Sequence, residues 1–176
     1  MQILFSLKTT LLVIGALAVF HVNGAPNEKD SISSQLFGRA KRSLYEGMVA
    51  FQAKLTKNQK SLPENAIVIF ETTTLNAGYA YSPLTGIFTA PEDGIYVFSW
   101  NILAHAGGVF HTEIVYNGKA VAHNHADGRS GSSHYASGSS TAVIGMRRKD
   151  QVWIKAMAGH GESAAGDWSS FSGFKL

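Results

Sequence analysis

Residues Phe70 to Trp100 read FETTTLNAGYAYSPLTGIFTAPEDGIYVFSW, and their pattern decides the fold. Tyr96, Phe98 and Trp100 alternate with Ile95, Val97 and Ser99. That is the period of two of an extended strand, so the three large rings share one face. Pro91-Glu92-Asp93-Gly94 precedes the strand as a turn in which proline fixes φ and Gly94 accepts a positive one. A second breaker group, Ser82-Pro83-Leu84-Thr85-Gly86, precedes Ile87-Phe88-Thr89. Two strands meet here at a tight corner, with aromatic rings on the buried side.

Outward from this corner the chain continues as short strands. Met48–Leu55 alternates well enough for a first strand, and Ala66–Phe70 is β-branched and apolar. Gly94–Ala104 is a long central strand. Phe110–Tyr116 and Lys119–Asn124 flank Asn117-Gly118, the strongest two-residue hairpin signal in the chain. Tyr135–Gly145 follows, then the turn Arg147-Arg148-Lys149-Asp150, then Gln151–Met157. Trp168 to Leu176 closes the chain. Many short strands separated by turn residues argue an antiparallel sandwich. The stretch from residue 46 to 176, about 130 residues, is enough for one single-core domain.

Residues 1–24, MQILFSLKTTLLVIGALAVFHVNG, read as an export signal cleaved between Gly24 and Ala25. Their apolar core, Leu11 to Phe20, is too short for a bilayer that needs roughly 20 helical residues. No other apolar run approaches that length, so no membrane span is expected. Residues 25–45 are polar and poor in large aliphatics, as in a flexible linker. Ile32, Leu36 and Leu44 hint at an amphipathic helix, too sparsely for a coiled coil. Arg39-Ala40-Lys41-Arg42 fits the site of a secretory proprotein convertase, read through Arg39, Lys41 and Arg42. It reads equally as a solvated basic linker.

The formal charge of +3 belongs to the whole chain. From Ser43 onward ten basic residues face ten acidic ones, so the basicity argument for a nucleic-acid partner fails. There is no cysteine, which leaves stability to the core and to subunit contacts. No Asn-X-Ser/Thr sequon is present, and no Gly-X-Y repeat.

The spacing Phe70-x5-Asn76-x4-Tyr81-x6-Phe88-x5-Gly94-x-Tyr96-x-Phe98-x-Trp100 closely resembles the complement C1q globular-head domain. Trp100 departs from the family's usual Phe or Tyr but keeps a large ring on the same face. Val49-Ala50-Phe51 and Phe171-Ser172-Gly173-Phe174 look like the family's two ends, so the resemblance covers Met48 to Leu176. It implies an all-β, ten-stranded antiparallel jelly roll shared with the tumour necrosis factor family and assembled as a trimer. Strands one and ten would lie side by side, with the carboxyl terminus as buried structure. The chain resembles the secreted, stalkless, single-domain members of molluscan type.

A catalytic reading finds little support. There is no thiol nucleophile, no His-Glu-X-X-His and no Gly-X-Ser-X-Gly. Gly159-His160-Gly161-Glu162 is glycine-rich, but no helix pattern follows it. A binding reading is richer. His123 and His125, two apart, share a strand face, and His134 could reach them across a loop. Two converging imidazoles can hold zinc or copper, but spacing fixes no third ligand, so no metal centre is assigned. Protonation near pH 6 is a simpler role for them. The segment from Asn124 to Tyr135 combines Asp127, Arg129, hydroxyls and Tyr135 on glycine hinges. With His123, His125 and His134 it forms the candidate ligand site, suited to sugars or anionic groups. Some members of the resembled family bind calcium through apex carboxylates, which Asp127 and Asp167 would supply here. Arg147-Arg148-Lys149 reads as a solvated hairpin end. Phe70, Phe88, Tyr96, Phe98, Trp100, Trp153, Phe171 and Phe174 read as core and trimer interface.

The expectation is a secreted, non-enzymatic recognition protein, a homotrimer with lectin-like binding of glycans or microbial surface molecules in innate immunity. Two alternatives stand beside it: a component of extracellular, even calcified, matrix that contacts matrix proteins, and a cytokine-like receptor ligand. The 18 glycines are compatible with matrix without selecting it.

Overall fold

The computed structural model describes residues 32–36, 38, 45–60, 62–129, 134–157 and 163–176. The chain separates into two units, Met1–Lys41 and Arg42–Leu176. In the first, residues 32–36 and 38 are helical, with Ile32 and Leu36 exposed. The export signal with its Gly24/Ala25 junction, the basic site at Arg39, Lys41 and Arg42, Ser130–Ser133 and Gly159–Glu162 lie outside the described residues.

Among the described residues the second unit holds twelve strand segments: β1 Ala50–Lys54, β2 Gln59–Lys60, β3 Thr72–Ala77, β4 Tyr81–Ser82, β5 Ile87–Thr89, β6 Gly94–Ala104, β7 Val109–Tyr116, β8 Lys119–Asp127, β9 Ala136–Met146, β10 Gln151–Ala156, β11 Ser163–Ala164 and β12 Ser170–Lys175. They form two antiparallel sheets. One runs β4-β5-β10-β7-β8. In the other, β6 takes β9 along one edge and β12 along the opposite edge, with β1 and then β3 beyond β12. The two-residue β11 extends the β12 line at Ala104, and β2 pairs with β11. Each sheet is therefore five strand positions wide, the ten-position jelly roll the resemblance implies. The first and last long strands are neighbours, with Phe51 opposite Gly173.

Between the sheets lies an aromatic core. Phe51, Phe70, Tyr81, Phe88, Tyr96, Phe98, Trp100, Phe110 and Phe171 are all buried in it. Phe51 stacks on Tyr81 with centroids 4.7 Å apart, and Phe88 meets Phe98 edge-on at 5.1 Å. The polar tips are matched. The Tyr81 hydroxyl donates to the Phe70 carbonyl (3.1 Å), and the Trp100 Nε1–H donates to Thr112 Oγ1 (2.9 Å). Asn76 reaches across the β3–β4 turn, donating from Nδ2 to the Tyr81 carbonyl at 2.8 Å.

Several sequence expectations are corrected. Gly94 is not a turn residue at positive φ; it is the extended first residue of β6, opposite Met146. A Cβ there would run into the flexible Lys175 side chain, not into backbone strain. Ala66–Phe70 is no full strand. It makes one bridge, Ile67 to Lys155, continuing the β10 edge where β5 stops, then crosses to the other sheet as β3. The carboxyl terminus is only partly buried. β12 lies between β1 and β6, but Phe174 points away from the core and Leu176 is exposed.

Candidate functional site

The β7–β8 hairpin carries the candidate residues. Asn117 (φ 47°) and Gly118 (φ 83°) form the two left-handed positions of its turn. Beyond the turn the ladder slips by one residue between Ile114 and Val115, so that His111 faces His125 and Glu113 faces His123. The alternate residues Phe110 and Ile114 enter the core, which turns His111 and Glu113 outward.

On this outer face three contacts run in a row. Glu113, almost fully buried, holds Lys155 of β10 at 2.6 Å and lies 3.4 Å from His123 Nε2. The His111 and His125 rings stack with centroids 4.1 Å apart. Burial first, then the neighbouring His125, pushes the His111 imidazole below its ordinary range, so it is neutral near pH 7. Asp127 receives a forked pair of bonds from Arg129, Nε at 2.9 Å and Nη2 at 2.5 Å, and lies 3.9 Å from His125 Nε2. Those bonds hold the Asp127 carboxyl well below the usual carboxylate range and raise the guanidinium.

The structure thus brings His123, His125, Asp127 and Arg129 onto one strand and its exit. His134 reaches this segment with its backbone, its carbonyl lying 3.0 Å from where a Cβ on Gly128 would stand. Among the described residues the His134 imidazole makes no hydrogen bond or ion pair, and Tyr135 stands instead against His105, centroids 5.5 Å apart. The sequence reading missed His111, Glu113 and Lys155, which only the cross-strand register supplies. Asp127 and Asp167 each pair with a cation of their own, Arg129 and Lys54. Among the described residues no group of three or more His, Asp or Glu could hold a metal ion.

An all-β two-sheet sandwich with a ring-filled core and a polar, cation-bearing outer hairpin defines a binding scaffold of the jelly-roll class. The chain belongs to the C1q domain family, whose pattern matches residues 50–176. It is 28% identical over 134 residues to complement C1q tumor necrosis factor-related protein 3 of Homo sapiens, covering 74% of this chain and 52% of that protein. It is 30% identical over 129 residues to caprin-2 of Danio rerio, covering 73% of this chain and 14% of the other. The chain therefore spans about half the length, or less, of these curated relatives. Among solved structures, the globular domain of zebrafish complement 1qA superposes with a TM-score of 0.61 at 21% identity, over 73% of this chain and 97% of that one. Eiger TNF from S. frugiperda superposes with a TM-score of 0.60 at 12% identity, over 73% and 92%. At these identities the likeness is one of fold. Among the described residues no helix is long and apolar enough to cross a membrane.

Proposed function

We propose that this protein is a secreted, non-enzymatic recognition module that forms a homotrimer and binds polysaccharide on microbial or cell surfaces. The observation that carries this reading is the Asp127–Arg129 fork beside His125, with His123 two residues further along the same strand face. A fixed carboxylate, a planar cation and two exposed imidazoles stand together on the end of a rigid strand, the donor and acceptor set that hydroxyl-rich ligands require. Trimerisation is supported by the outer face of β9-β6-β12, where Val143 and Phe174 flank Val97 and leave apolar surface in water. Three weak sites on one particle gain avidity.

The test is retention of the secreted protein on immobilised mannan and peptidoglycan. Wild type should be retained, and Arg129→Ala should lose at least about tenfold in apparent affinity while keeping its melting temperature. Equal retention of the variant removes the site, and no retention of wild type removes the reading. The second reading, a cytokine-like receptor ligand, is favoured by the similarity to a tumor necrosis factor-related protein. Saturable binding to cells that excess polysaccharide leaves untouched would select it.

A further inference from the structure

The turn between β11 and β12 spends much bonding on one exposed side chain. Asp167 adopts φ 63°, and its N–H donates to the Leu55 carbonyl at 2.6 Å. The Gly166 N–H donates to Asn58 Oδ1, and a Cβ on Gly166 would meet the Lys57 backbone at 2.8 Å. Lys54 pairs with Asp167 at 2.6 Å, and Asn101 Nδ2 donates to the Trp168 carbonyl at 2.7 Å. The turn is thus fixed from three sides, yet the Trp168 side chain it presents is 71% exposed.

A second copy of the chain is a poor occupant for that indole. The exposed apolar residues of the same sheet, Ile95, Val143 and Phe174, cluster around Val97. Trp168 is tied to Asn101, four residues further along β6, or about 13 Å. Ser99, Thr141 and Ser172, all polar, separate the two. The indole stands on a turn with polar groups at its base, since its own carbonyl accepts from Asn101 and the preceding Asp167 pairs with Lys54, and this fits a ligand that is flat and apolar on one face and polar at its rim. We infer that Trp168 is the stacking platform of a saccharide subsite for a β-linked hexopyranose with equatorial hydroxyls. Its C–H face would lie on the indole and its hydroxyls against Asp167, Lys54 and Asn101. The inference deepens the polysaccharide reading and rests on it.

Tryptophan fluorescence tests it directly, because Trp100 is buried and Trp153 half-buried. Titration with chitotriose and laminaritriose should change the emission of the assembled wild-type protein saturably. Trp168→Ala should weaken binding of the same trisaccharides, read by calorimetry, at least about tenfold, with Trp168→Phe between the two and all three proteins melting alike. Undiminished binding by Trp168→Ala, or an indole already shielded from acrylamide in the unliganded protein, overturns the subsite. If wild type is retained on mannan or peptidoglycan but gives no response to either trisaccharide, the subsite falls and the polysaccharide reading stands. If it does neither, both fall.

Discussion

Phe98 has four rings within 6.4 Å of its own centroid, those of Phe51, Phe88, Tyr96 and Phe171. Truncating it leaves a void that none of these can fill without abandoning another contact. Phe98→Ala should cost about 3–5 kcal/mol, a large share of a total of roughly 5–15 kcal/mol. Urea unfolding measures it, and a wild-type midpoint would remove Phe98 from the core. Glycines separate more finely. A Cβ at Gly138 would meet the His125 carbonyl at 2.5 Å and Asn124 Oδ1, so Gly138→Ala should destabilise by about 1–3 kcal/mol. Gly94→Ala meets only the mobile end of Lys175 and should cost clearly less. Equal losses in thermal melts would put the sheets in the wrong contact. The rings were legible in the sequence because alternation is strict from Ile95 to Trp100. The role of Gly94 was not, because a glycine after proline, glutamate and aspartate reads as a turn, and only the β6–β9 ladder makes it extended.

At the level of the elements, Asp150 ties two turns together. Its carboxylate accepts from the Tyr116 hydroxyl (2.6 Å), the Arg147 N–H (2.8 Å) and Asn117 Nδ2 (2.9 Å). These bonds, that of Tyr116 first, hold its carboxyl below the usual carboxylate range. The unfolded chain therefore binds the proton more readily. The stability it contributes is complete above its unfolded pKa and is lost as pH falls through the folded one. Asp150→Asn should lower stability near neutrality and flatten the acid arm of a stability profile taken between about pH 2 and pH 6. An unchanged slope would show that the carboxylate is not held. The hairpin itself was readable from Asn117-Gly118, but its outer face was not. Counting back from Tyr116 opposite Lys119 without a slip places His111 opposite Asn124. The bulge at Ile114/Val115 moves the pairing by one and brings His125 there instead. Local composition carries no mark of that slip, so the histidine row emerges only from the fold. Strand β3 was missed for a similar reason, since Thr72-Thr73-Thr74-Leu75-Asn76-Ala77 lacks the apolar alternation of a two-sided strand.

For the whole molecule, the described unit has neither disulfides nor, at Val143 and Phe174, a closed apolar surface. Both features point to assembly through the β9-β6-β12 face, and under the proposed function the avidity of three sites would strengthen weak saccharide contacts. Val143 pairs with Val97 in the middle of that face, so Val143→Glu should place a charge in the subunit contact and yield monomers that still fold. The sequence could announce the sandwich, because strand periodicity is local. It could not announce which face a second chain covers, because that depends on how three distant strands align. Sedimentation equilibrium of the purified protein at micromolar concentration reads this assembly directly. Wild type should sediment as a single species of three times the protomer mass, and Val143→Glu as one protomer. A wild-type protein that sediments as a monomer would contradict it.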